Sequence, residues 1–228
     1  MMAEQVLPGH PDRLADALAE RIVDCALAMF DRSFVGVEVA VFQQYVYLTG
    51  RVVYPHLAGD QWLLPPRKWK GPRMRARHRA RLDEAALWAD TLAAAGVVDD
   101  WATDDWQIES RALIVEPPED FGLGRDVSDD QNIVIGYACG DDSTRYLPPA
   151  TYLARKLRDA LVEAQKNHAT RLGPDGKLLV HIAPTREGYR WVGCNIAIQH
   201  APDVAYSELY ALLRPAITEA STCLPGLA

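Results

Sequence analysis

The sequence lacks the features of a membrane or secreted protein. Its 228 residues contain no apolar run approaching the roughly 20 needed to cross a bilayer. Residues 1–8 have neither the basic cluster nor the apolar stretch of a secretory leader. We therefore expect a soluble, cytoplasmic protein with no membrane partner, and the 49% hydrophobic content is ample for one large core or two smaller ones.

Cysteine pairs are also absent. The four cysteines lie far apart and form no C-x-x-C motif, which argues against a structural zinc site and a disulfide framework. We expect them to be small buried hydrophobic residues, at positions Cys25, Cys139, Cys194 and Cys223.

Basic residues are scarce outside one segment. "RKWKGPRMRARHRAR" (67–81) holds eight of the 24 Lys and Arg residues, so the rest of the chain carries 16 basic against 31 acidic residues, a net charge of −15. The segment is either a solvated loop or a phosphate-binding element, for a nucleotide or for nucleic acid. The net charge of −7 argues against general nucleic-acid binding as a function.

Hydrophobic periodicity predicts two similar α+β domains, 1–120 and 121–228, with a basic insertion at 57–81 in the first. The first domain has a helix at 11–30, two strands within 35–53 that meet near Gln43 and Gln44, a short amphipathic helix ending at Gly96, and a strand before Pro117. The second has a strand "NIVIGYAC" (132–139), a long helix "LPPATYLARKLRDALVEAQKNH", strands "KLLVHIAP" and "YRWVGCNIAIQHA" joined by the turn "TREG", and a helix from Ser207.

The segment "LPGHPDRLAD" (7–16) places a histidine and an aspartate where the first helix begins. Pro11 suits the first helical position, His10 stands just before it and Asp12 falls in its first turn. Two interpretations remain open for these side chains. They either cap the helix or belong to a site for an anion, since a helix N-terminus offers unpaired N–H groups.

Six segments in order resemble the S-adenosylmethionine synthetase (methionine adenosyltransferase) family. They are "GHPDRLAD", the pair "VEVAV" and "YVYLTGRV", "SDDQNIVIGYA", "YLPPATYLARKL", "GPDGKLLVHI" and "IAIQHAPDV". The resemblance implies domains of that family's type, with sheets packed at an oligomer interface. It also implies its reaction, in which a thioether sulfur attacks C5′ of ATP and the triphosphate leaves.

The resemblance further implies a role for individual residues. His10 and Lys177 would be catalytic and contact the triphosphate, Asp175 would bind the nucleoside end of ATP, Asp12 would ligate Mg²⁺ and Glu38 would ligate K⁺. Taken singly, each also has a structural interpretation: Glu38 alternates with valines on a strand, and "PDGK" is a typical turn.

A substrate loop follows from the same match. Asp130 and Gln131 correspond to the loop beside methionine, although "VSDDQN" lacks the family's glycines there. Arg51 stands where the family has the carboxylate that receives the methionine amino group, which reverses the charge. The family also has a third domain that this chain does not match.

Three functions remain open. The first is an adenosyltransferase acting on methionine or another thioether or anionic small molecule, its site completed in a homodimer or by a second subunit. The second is a non-catalytic regulatory or scaffolding relative of such an enzyme. The third is a nucleotide- or nucleic-acid-binding module that uses residues 67–81.

Overall fold

The computed structural model describes residues 1–29, 33–53, 56–58, 61–63, 83–98, 101–102, 105–111, 113–115, 133–224 and 227. Its elements in chain order are β1 (Met2–Val6), α1 (Pro11–Met29), β2 (Phe34–Phe42), β3 (Tyr45–Val53), β4 (His56–Ala58), β5 (Gln61–Leu63), α2 (Glu84–Ala94), β6 (Gln107–Ser110), β7 (Leu113–Val115), α3 (Pro149–Asn167), β8 (Leu172–Pro184), β9 (Tyr189–His200) and α4 (Tyr206–Ser221).

The chain divides into two compact units. The first, unit A, comprises Met1–Arg13, Ala95–Ala102 and Ile135–Ala228, and the second, unit B, comprises Leu14–Ala94 and Thr103–Val134. Residues 1–13 therefore group with the second half of the chain, because β1 pairs with β8. The predicted boundary at residue 120 lies outside the described residues and stays a prediction.

Unit A is an antiparallel sheet in the order β1-β8-β9, covered on one face by helices α3 and α4. Alternate residues of β8, namely Leu178, Val180 and Ile182, point into the core and are fully buried. Helix α3 contributes leucines at four-residue spacing to the same core, Leu153, Leu157 and Leu161.

Unit B contains a sheet in which β2 and β3 form an antiparallel hairpin and β6 and β7 pair in parallel with β3. The hairpin turns at Gln43 and Gln44, as predicted, and Gln43 adopts a positive φ of 52°. Alternation along β3 buries Val46, Leu48 and Val52. Helix α1 buries one stripe at four-residue spacing, Leu14, Leu18, Ile22 and Ala26.

The predicted strand at 132–139 is wrong. Residues 133–139 form no strand, and the apolar side chains that suggested one are exposed, namely Ile133, Val134, Ile135 and Tyr137. A strand requires a neighbour for its backbone hydrogen bonds, and within the described residues the segment's backbone is joined only from Cys139 N to Tyr146 O, at 2.8 Å. The apolar residues give this segment the local pattern of a strand, but among the described residues no neighbouring strand pairs with it.

The other helices and strands appear where the sequence predicts them, and the mixed α+β architecture is confirmed. Strands β1, β4 and β5 were not predicted; the five residues of β1 give no clear alternation. In the described part of the chain no helix combines the length and apolarity that a membrane span requires.

Candidate polyphosphate site

A turn and the beginning of a strand that are distant in the sequence meet at one end of the unit A sheet, and the predicted turn at "PDGK" is part of strand β8. The pairing of β1 with β8 continues past the strand, since Leu7 N donates to Gly176 O at 2.8 Å and Gly9 N donates to Pro174 O at 3.0 Å. These two hydrogen bonds place the "GHPD" segment beside the "PDGK" segment.

The close approach requires glycine at two positions. A Cβ atom at Gly9 would lie 2.7–2.8 Å from backbone and side-chain atoms of Pro174. A Cβ atom at Gly176 would lie 3.0 Å from Ala197 O and 2.5 Å from the Leu7 side chain. Any larger residue would therefore separate the two segments.

His10 caps the first helix. Its Nδ1 atom accepts a hydrogen bond from the backbone N–H of Asp12 at 3.2 Å, so in this arrangement the ring proton is on Nε2. The Asp12 carboxylate lies 3.9 Å from the same Nδ1, and its side chain is 88% exposed, compared with 20% for His10. The capping interpretation is thus correct for Nδ1, and it leaves Nε2 as a donor for a ligand.

Asp175 lies close enough to His10 for their charges to interact. Partial burial raises the pKa of the Asp175 carboxyl, and the proximity of His10 and the backbone N–H of Gly176 lower it, with a net increase. The backbone N–H of Asp175 points toward Gln199 Oε1, at 3.4 Å. The sequence motifs do not mark Gln199 as a site residue, although its strand is one of the six matching segments.

Lys177 projects from the outer face of the same sheet. Its Nζ lies 2.9 Å from Glu4 Oε1, and both side chains are about half exposed at 49%. Because Lys177 is paired in register with Val6, Glu4 is its diagonal neighbour on that face. An exposed ion pair of this kind contributes about 0–1 kcal/mol, so the Lys177 ammonium remains available to an anion. Sequence reasoning missed Glu4 because the pairing of β1 with β8 is not visible in it.

The remaining predicted site residues lie elsewhere. Glu38 and Arg51 are both exposed on the outer face of the β2–β3 hairpin in unit B, where Glu38 is paired in register with Thr49 and Arg51 with Gly36. Asp130 and Gln131 lie outside the described residues, as does the basic segment 67–81.

The described residues around His10 and Lys177 form no preformed metal-binding cluster. Among the residues that the structure describes, no three His, Cys, Asp or Glu side chains converge in a way that could hold an ion. Unit A offers one cation, Lys177, and one imidazole donor, His10. The nearby carboxylates are those of Asp12, Asp175 and Glu4. Such a set can bind an anion that brings its own metal ion.

Comparison with known proteins gives three similarities. Residues 125–224 match the family model of the S-adenosylmethionine synthetase central domain. An S-adenosylmethionine synthase from Solidesulfovibrio magneticus is 27% identical over 216 residues, which cover 91% of this chain and 49% of that protein. The solved structure of an unusual S-adenosylmethionine synthetase from Campylobacter jejuni aligns with a TM-score of 0.68 at 22% identity, over 96% of this chain and 53% of that one.

These similarities confirm the resemblance that the sequence motifs predict. The structural match supports the fold, and the matched family model covers most of unit A. The chain spans about half the length of the curated relative it matches.

Proposed function

We propose that this chain, a relative of the S-adenosylmethionine synthetases, binds ATP with Mg²⁺ at the His10–Lys177 cluster and takes part in adenosyl transfer from it. The observation that carries the proposal is the approach of Gly9 to Pro174, which brings His10 beside the "PDGK" segment of β8. Two motifs that match one family, far apart in the chain, thereby converge on one group of polar side chains.

Each residue of the cluster has a task suited to a triphosphate. Lys177 supplies a positive charge, and His10 supplies the Nε2 proton, for phosphate oxygens that gain negative charge as the C5′–O bond breaks. Asp175 is the candidate acceptor for hydroxyl or amino groups of the nucleoside.

Mg²⁺ fits this set as an ion shared with the substrate. It prefers oxygen ligands and keeps several waters, so one or two carboxylates and the phosphates suffice to hold it. The exposed Asp12 carboxylate is the candidate ligand, and the metal would neutralise charge on the phosphates. Glu38 is the candidate carboxylate for K⁺.

The proposed reaction is attack of a thioether sulfur on C5′ of ATP, which forms a sulfonium and releases triphosphate. We propose that a second copy or another subunit completes the site, as the resemblance to that family implies. The unit sheets would supply the interface, and Asp130 and Gln131 the loop beside the acceptor.

A regulatory or scaffolding subunit is the second candidate, and Arg51 favours it. A guanidinium at this exposed position would repel the ammonium of methionine, if methionine binds there as the resemblance implies. The two candidate functions differ in whether triphosphate is released from ATP when methionine or another thioether is present.

Isothermal titration with Mg·ATP tests the site. We expect Lys177→Ala to weaken binding at least about tenfold, because a charge-assisted contact is lost. Lys166→Ala is the matched control, since Lys166 is an exposed lysine of α3 in a surface pair with Glu163. Equal affinities for the two variants, or no binding by the wild type, would show that the site is wrongly assigned.

A triphosphate-release assay then separates the two candidate functions. Turnover with methionine, by the chain alone or with its partner subunit, supports the transferase. ATP binding without turnover of methionine or any thioether supports the regulatory subunit. Arg51→Glu should raise activity with methionine if Arg51 faces the acceptor, and should leave it unchanged if a partner supplies the carboxylate.

A further inference from the structure

Residues 133–138, the free segment, have the composition of a strand but no partner strand among the described residues. The segment contains no charged residue and no proline. Four of its side chains are apolar or aromatic and between 75% and 87% exposed, namely Ile133, Val134, Ile135 and Tyr137. No backbone hydrogen bond of the segment occurs within the described part of the chain. Addition to the edge of a sheet would satisfy the backbone groups and cover the apolar side chains together.

Strand β9 presents a sheet edge that such a segment can join. It is the outer strand of the unit A sheet, and on its free side the described residues add only an isolated bridge from Tyr189 to Leu227. Pairing with β8 is regular from Cys194 to Ile198, and no charged residue or proline occurs from 191 to 199. Edge strands usually carry such residues because they prevent pairing with another chain. This part of the edge has no protection of that kind.

The ends of the free segment and of the β9 edge carry opposite charges. Asp142 follows Ala138 by four residues, and Arg190 precedes Cys194 by four residues. Antiparallel pairing of Ala138 with Cys194 therefore brings the Asp142 carboxylate near the Arg190 guanidinium. Both charged side chains are exposed, and within the described residues neither belongs to an ion pair. Complementary charge thus adds to the backbone and apolar match between the free segment and β9.

Pairing of two free segments with each other is less favourable. In the sequence, aspartates flank the segment on both sides, Asp129 and Asp130 before it and Asp141 and Asp142 after it. Antiparallel self-pairing would bring these like charges together, which destabilises a strand pair. Strand β9 is the better partner because the charge that flanks its edge is positive.

We propose that the free segment of one copy of this chain adds as an antiparallel strand to the β9 edge of a second copy. Among the described residues the segment and β9 do not pair within one chain, so the contact needs two copies. Each copy can donate one segment and accept one, which gives a closed dimer. In this register Val134 lies beside Ile198, which is only partly buried against the unit A core. The contact lies at the edge of the sheet rather than on either face, and it does not depend on ATP binding.

Backbone hydrogen exchange of the full chain, followed by mass spectrometry at low and high protein concentration, tests the pairing. We expect the amides of 133–138 to exchange at least about tenfold more slowly once the protein associates, because paired amides are protected. Ile135→Lys should keep them fast at every concentration, since a charged side chain on an edge opposes pairing. Tyr206→Lys is the matched control, because Tyr206 is 82% exposed compared with 87% for Ile135, and it should behave like the wild type.

Exchange of the two charges tests the choice of partner strand. Asp142→Arg and Arg190→Asp should each weaken the association by about threefold or more, as measured by sedimentation velocity, and the double variant should return toward the wild type. A double variant as weak as either single variant would overturn the proposal, because the free segment would then pair elsewhere. Unprotected amides at 133–138 in the associated protein, or a protein that stays monomeric at high concentration, would overturn it as well.

Discussion

Replacement of Gly9 by alanine tests the contact on which the candidate site depends. The added Cβ would lie 2.7 Å from the carbonyl carbon of Pro174 and 2.8 Å from its oxygen, and backbone atoms cannot swing away as a side chain can. The first turn must therefore move, and the 3.0 Å hydrogen bond from Gly9 N to Pro174 O must lengthen or break.

The cost follows from those distances. Overpacking costs about 1–3 kcal/mol and a lost hydrogen bond about 1 kcal/mol, while the entropy of the unfolded chain returns about 0.4–1 kcal/mol to any Gly→Ala change. A net loss of about 1–3 kcal/mol lowers Tm by about 2–12 °C in a chain of this length. Mg·ATP affinity should fall as well, since His10 moves.

Gly36→Ala is the matched control for this prediction. Nothing lies within 4 Å of a Cβ at Gly36, so Tm should be unchanged or slightly raised in thermal unfolding followed by circular dichroism. Equal Tm values for the two variants would refute the claim that Gly9 and Pro174 are in close contact.

Three further results are expected from thermal unfolding. Leu157→Ala, in the core of unit A, should cost about 2–5 kcal/mol, whereas the exposed Arg155→Ala should stay within about 0.5 kcal/mol. Asp203→Asn should lower Tm at pH 7, because the hydrogen bond from Arg171 lowers the pKa of Asp203 below 3.8; this difference should disappear as the pH falls through that lowered pKa. Asp175→Asn should do the reverse: burial raises the pKa of Asp175 above 3.8, so the variant's gain in Tm should be absent below pH 3.8 and develop as the pH rises through the raised pKa.

The hydrophobic pattern of neighbouring residues predicts those helices and hairpins that depend mainly on local interactions. The hairpin turn at Gln43 and the long helix α3 follow from alternation and helical spacing. The local pattern does not predict strand β1, and it wrongly predicts a strand at the exposed segment 133–139. A strand forms only where another strand supplies its backbone hydrogen-bond partners. Strand β8, more than 160 residues away, stabilises the five residues of β1, whereas the more apolar 133–139 has no pairing strand among the described residues.

In the candidate site, too, the contacts that depend on the tertiary fold could not be predicted from the sequence. Family motifs identified His10 and Lys177, but the residue that binds Lys177, Glu4, was invisible because it faces Lys177 only through the β1–β8 register. The capping role of His10 could be anticipated from its position before Pro11. Its proximity to Asp175 required the tertiary fold.

Histidine imidazole resonances recorded during titration with Mg·ATP test whether the nucleotide binds beside His10. We predict that the signals of His10 shift with the affinity found by calorimetry. Those of His168, at the end of α3, should stay in place. If ATP saturates the protein while the His10 signals remain unmoved, the nucleotide binds elsewhere and the proposed site is contradicted.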